Sequence, residues 1–265
     1  TVPRFYLVGN LNEGQVADER LPFPVTGLEA DFSADNNGIR FENVVAESAL
    51  GRMHLNFTSG GLTTESPFEL VARIDPLFLD QRLASRLPPE AAQFLRKYSP
   101  VGNIRLHSRL SFQNGRWVPD VVVDLLDVSF AFHKFPYPLT GATGRITLGE
   151  KELEIDIQAL ASGKKIKLAG KFLNPGPMAH GELRLELDGR IPVDAKVLAA
   201  MEKMPNLSNL TRKFHPRGFF GFRGLFQRVK QPDGRIEEKF RHQLSVEEGE
   251  IKYDLVPIPF HSLYG

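Results

Sequence analysis

Three observations predict a mostly β chain, a curved antiparallel meander sheet built from tandem modules that each carry a kinked helical crossing. Apolar and polar residues alternate at period two through most of the 265 residues. Turn residues punctuate the runs about every ten positions. Two landmarks return, in the same order, after about 115 to 120 residues.

The alternation is explicit in three runs. Leu153, Ile155, Ile157 and Ala159 interleave with Glu152, Glu154, Asp156 and Gln158, and Leu183, Leu185 and Leu187 with Glu182, Arg184 and Glu186. Ile104, Leu106, Leu110 and Phe112 interleave with Arg105, His107, Arg109 and Ser111. A strand sends successive side chains to opposite faces, so each run has one apolar and one wet face. Asn37-Gly38, Asn114-Gly115, Ser162-Gly163, Asn174-Pro175-Gly176 and Asp233-Gly234 stand between runs. Such pairs suit the positive φ angles of tight hairpins.

The first landmark, Leu21-Pro22-Phe23-Pro24-Val25-Thr26-Gly27, returns as Phe135-Pro136-Tyr137-Pro138-Leu139-Thr140-Gly141, with a weaker copy at Val256-Pro257-Ile258-Pro259-Phe260. Proline removes ladder donors, so the motif marks a bent edge or a crossover between strands. The second, Pro89 through Arg96-Lys97-Tyr98-Ser99-Pro100-Val101-Gly102, is echoed by Pro205 through Arg212-Lys213-Phe214-His215-Pro216-Arg217-Gly218. It closes helical stretches over Phe78 to Tyr98 and Val193 to Phe214, broken at Pro88-Pro89 and Pro205 into two short helices each. The expected division is residues 1–13 as the end of a preceding module, 14–130 as module one, 131–250 as module two and 251–265 as the start of a third. Both ends then read as sheet edges, with unpaired backbone groups that invite pairing.

Charge is nearly balanced, with 33 basic and 32 acidic residues, and no basic cluster of the kind phosphate neutralisation needs. Nucleic acid is therefore not an expected partner, and Lys164 to Lys167 reads as a solvated hairpin. There is no cysteine, hence no disulfide and no thiolate metal site. The seven histidines are scattered without metal-ligand spacing, and no phosphate loop or nucleophile motif is present. Asp124 and Asp127, three apart on a strand, are expected on opposite faces. No catalytic residue, metal or cofactor is assigned. Phe219 to Phe226 mixes aromatics and glycines, as RNA-binding strands do, but apolar side chains on both phases read better as burial between a helix and the sheet. Trp117, next to a hairpin, reads as packing at the turn rather than as a carbohydrate platform.

Modules of about five antiparallel strands followed by a crossing segment resemble the repeating β-groove proteins, among them the AsmA-like and TamB-like proteins of the bacterial envelope. The likeness rests on the Phe135 to Gly141 motif, the meander, and the helix ending in Lys213-Phe214-His215-Pro216-Arg217-Gly218. It implies a gutter with an apolar inside along which phospholipid acyl chains slide. It also implies neighbouring modules of the same chain as partners, a periplasmic location, and a parent protein anchored to the membrane through parts outside these residues. The residues expected to line the gutter are Leu106, Leu110, Ile155, Ile157, Ile166, Leu168, Leu185 and Leu187. A curved sheet must bury its apolar face against helices, another sheet or a lipid. The alternative is therefore a structural stalk of self-covered modules without a ligand.

Overall fold

The computed structural model describes residues 4–16, 25–48, 51–63, 65–84, 89–113, 115–133, 135–253 and 256–263. Of the motifs above, Leu21 to Pro24, Pro88 and Asn114 lie outside these residues. The chain forms one open antiparallel meander sheet of 15 strands. The first five are β1 (Tyr6–Val16), β2 (Val25–Asp35), β3 (Gly38–Ser48), β4 (Gly51–Ser59) and β5 (Phe68–Leu79). A helix pair, α1 (Gln81–Ala84) and α2 (Pro89–Tyr98), leads to β6 (Val101–Gln113), β7 (Arg116–Phe132) and β8 (Phe135–Leu148). Then come β9 (Glu152–Ala161), β10 (Lys164–Leu173), β11 (His180–Leu187) and the short β12 (Ile191–Pro192). A second helix pair, α3 (Ala195–Glu202) and α4 (Pro205–Phe214), leads to β13 (Arg217–Lys230), β14 (Ile236–Tyr253) and β15 (Val256–Leu263). Every strand pairs with its sequence neighbours, except that β13 takes β11 and β12 end to end along one side.

The hairpins follow from their turn residues. Ser162 and Gly163, with φ of 45° and 75°, make the doubly left-handed turn that joins β9 to β10 without splaying them. The helix pairs start where the chain can no longer pair. Asp194 accepts from the backbone N–H of Lys196 and Val197, both at 2.9 Å, and so caps α3. Pro205 opens α4 at a position that needs no donor. Phe78 and Leu79, expected at the start of a helix, instead close β5, because they pair with Asn103 and Gly102.

The two ends of the strands differ. Both helix pairs, the corners at Pro136–Pro138 and Pro257–Pro259 and the 162–163 turn sit at one end, and the hairpins at 36–37, 149–151 and 231–235 line the other. Bulges bend the helical half of the strands, with register shifts between Leu11 and Val16, Phe41 and Val44, Leu125 and Phe132, and Thr140 and Thr143. The recurring motif supplies one bulge residue. Gly27 and Gly141 have φ of 57° and 60°, and Ser262, at the corresponding place in the third copy, has 59°. That left-handed conformation costs glycine nothing, which explains its place in the first two copies. The corner joins β7 to β8 as a bent hairpin, so it is not a crossover.

The β7 bulge also overturns one expectation. It places Asp124 opposite Arg105 and Asp127 opposite Asn103, so the two carboxylates share the polar face. The terminal strands are edges: among the described residues β1 pairs only with β2, and β15 only with β14. Residues Ile236 to Glu247 of β14 pair with β13 alone among the described residues.

Candidate functional site: the apolar trough

Cross-strand register turns the alternating pattern into continuous rows. Met53, Ile74, Leu106, Val123, Ile146 and Ile155 are successive partners from β4 to β9. One step toward the helical end, Leu77, Ile104, Leu125, Gly144, Ile157, Leu168 and Leu185 run from β5 to β11. Ala159, Ile166 and Leu187 form a third, shorter row. No second sheet lies opposite among the described residues, yet Ile157 and Ile166 are each only 6% exposed. Side chains on one face of a sheet bury one another to that degree when the sheet curls toward them, so the apolar face is the inside of a trough. At about 4.8 Å between strands, the 14 strands in line make a sheet about 60 Å wide, of which the nine from β3 to β11 span about 40 Å.

Of the eight residues read from the sequence, Ile157 and Ile166 lie within the buried cluster of the floor. Leu106, Ile155, Leu168, Leu185 and Leu187 pack around it, half-buried. Leu110 stands apart. It shares the same face, opposite Leu70 and Pro119, but lies toward the hairpin end and outside the cluster. The single floor continues from β3 to β11 without a polar seam at residues 130–131.

The helical end of the trough is covered. Val197 and Ala200 of α3 are buried against Tyr137, Ala161 and Ile191, and share Leu139 and Leu187 with the floor. Tyr137 donates or accepts a 2.8 Å bond with Ser162, which also reaches Asp194 at 3.3 Å, and this fastens the start of α3 to the β9–β10 turn. In the first pair, Tyr98 at the end of α2 rests on Phe132, ring centroids 5.6 Å apart. Phe220 packs under α3, while Phe219 points to the other face beneath the Arg190 guanidinium at 4.7 Å. Phe219 to Phe222 are thus half-buried, not doubly buried: α3 lies over Phe220, and an arginine, not the sheet, lies over Phe219.

The hairpin end is open and aromatic. Phe32, Phe41, Phe57, Phe68, Phe112 and Trp117 follow one another over β2 to β7, successive centroids 5.4 to 6.5 Å apart. None of the six is buried, and Trp117 is 60% exposed. This row escaped the sequence reading, although each ring stands within four residues of a turn. The trough is also apolar where it leaves the sheet. Leu7 on β1 is 54% exposed, and Phe240 and Leu244 on β14 are 61% and 54%.

The outer face is a ladder of alternating charge. Asp75, Arg105, Asp124, Arg145, Asp156, Lys167, Glu186 and Arg223 cross β5 to β13 with strictly alternating sign. Arg105 meets Asp75 at 2.5 Å and Arg145 meets Asp124 at 2.6 Å. The hydrogen bond from Arg145 holds the Asp124 carboxyl below the usual carboxylate range. Asp75 and Asp124 in turn raise Arg105 and Arg145. Lys171 likewise lowers Glu154.

Among the described residues no three metal-ligating side chains converge, and no helix is long and apolar enough to cross a membrane. Compared with protein-family models, with curated proteins and with solved structures, the chain finds no match in any of the three.

Proposed function

We propose that the trough binds phospholipid acyl chains and conducts them along its length, as a non-catalytic segment of a longer repeat protein of the bacterial cell envelope. One observation carries this reading. A continuous apolar floor runs under β3 to β11 and is roofed by helices at one end of its strands only. The total accessible surface agrees: the chain exposes 17397 Å², against about 11,600 Å² for a compact monomer of its mass. An acyl chain laid on such a floor gains about 0.8 kcal/mol for each methylene it removes from water. The outer charge ladder keeps the other face in water, and the balance of signs avoids attraction to polyanions.

The reading includes tandem modules. The matching φ at Gly27, Gly141 and Ser262 supports them, as do the left-handed residues Ser99 and His215 that close α2 and α4 with φ of 45° and 40°. Each module would then extend the same trough, with its neighbours in the chain as partners and any membrane contact made elsewhere.

The test is a pair of charge changes on opposite faces. Ile157→Asp puts an unpaired ion on the floor, where hydration is lost without compensation. Glu154→Lys changes a charge on the wet face of the same strand. Binding of a fluorescent phospholipid should fall sharply in the first and little in the second, with circular dichroism and thermal melting showing both folded. If Ile157→Asp proves unfolded, Leu106→Gln, at a half-buried floor position, answers the same question. Normal binding by either folded floor variant leaves the stalk of self-covered modules as the better account.

A further inference from the structure

We propose that the aromatic row from Phe32 to Trp117 is the rim over which a bound phospholipid passes from hydrocarbon to head group. Head groups then leave the trough over the hairpin edge and not over the helical edge. This rests on the lipid-binding reading above and adds an orientation to it.

Three observations carry it. The first is closure at the other edge. Val197 and Ala200 of α3 sit on the floor at the helical end, and Tyr98 of α2 sits on Phe132. A lipid lying in the trough has its open side toward the hairpins. The second is continuity. Phe57 is the cross-strand partner of Leu70, and Leu70 of Leu110, so the rings share the face of the floor and lie just outside it. Moving from the helices to the turns, the surface passes from aliphatic to aromatic to polar.

The third is chemistry. All six rings retain exposure, Trp117 most of all, so the row offers apolar area that no other element covers among the described residues. Of the six only Trp117 joins a polar N–H to an apolar ring, and such rings favour the boundary between hydrocarbon and water, while the five phenylalanines extend its apolar side. Trp117 pairs with Phe112 one step from the β6–β7 turn, so its indole stands where ester and glycerol groups would lie. The helical edge offers a rival arrangement. Arg96, Lys97, Arg212 and Lys213 are exposed in the last turns of α2 and α4 and would attract phosphates there.

Trp117 is the only tryptophan in the chain, so its emission reports this rim alone. The full chain is loaded with phosphatidylcholine brominated either near the carbonyl end or near the methyl end of its acyl chains, and retained lipid is measured by mass spectrometry on the same samples. At equal occupancy, carbonyl-end bromines should quench Trp117 about twofold more than methyl-end bromines, as expected of a ring at the hydrocarbon boundary. Equal quenching, stronger quenching by the methyl-end label, or retained lipid with no quenching overturns the orientation while leaving lipid binding in place. A wild-type chain that retains neither lipid removes both.

Discussion

Asp124 shows how a single side chain takes its properties from register. Its hydrogen-bond partner Arg145 and its second cationic neighbour Arg105 come from the two flanking strands, and the bond from Arg145 depresses its pKa. A depressed carboxylate stabilises the fold fully above its unfolded pKa of about 3.9 and loses that contribution as pH falls through the lower folded value. Glu154, lowered by Lys171, behaves alike. Thermal stability should therefore stay flat from near neutral pH down to about pH 5 and fall below about pH 4. Arg145→Gln should melt earlier at neutral pH and lose less on acidification, because the contribution lost on protonation is already absent. A variant with the wild-type acid dependence contradicts the assignment. At this scale the sequence was half informative. Alternation told which face Ile155, Ile157 and Leu185 occupy, since period two is local. It was silent on the charge ladder, because the partner of each charge is fixed by register, and it misplaced Asp127, because a bulge shifts the phase by one residue.

Among the elements, the bent hairpin with its Pro-x-Pro sequence is the clearest link between sequence and shape. The glycine that ends the motif is needed for its backbone and not for space: a Cβ at Gly141 would meet nothing closer than Leu160 Cδ1 at 3.7 Å, yet φ is 60°. Gly141→Ala should accordingly cost about 1 to 2 kcal/mol, the penalty of an L residue in the left-handed region. Gly141→Asn should cost less, since asparagine tolerates that region. Urea denaturation measures both, and an alanine variant as stable as wild type would show that the bulge is not under this constraint. The helical breaks at Pro205 and near Pro89 were legible from proline alone. The boundary at Phe78 was not, because its apolar residues fit a helix as well as a strand and only pairing with β6 decides.

The whole molecule is defined by what it leaves uncovered. A sheet of 15 strands with helices over one end of one face has more apolar surface than its own elements can bury. The meander and its one-sided character could be read from the sequence, since short turns force neighbouring strands to pair. Which end of the strands is roofed, and the aromatic rim at the other, could not, because both depend on where β2 to β7 align. The decisive measurement is native mass spectrometry of the chain purified without detergent, at a collision energy that preserves noncovalent complexes. Wild-type protein should carry additional masses in the phospholipid range, which should disappear from folded Ile157→Asp and persist in Glu154→Lys. A wild-type spectrum showing the bare chain mass alone, even after incubation with phospholipid vesicles, would contradict the claim that the trough holds lipid.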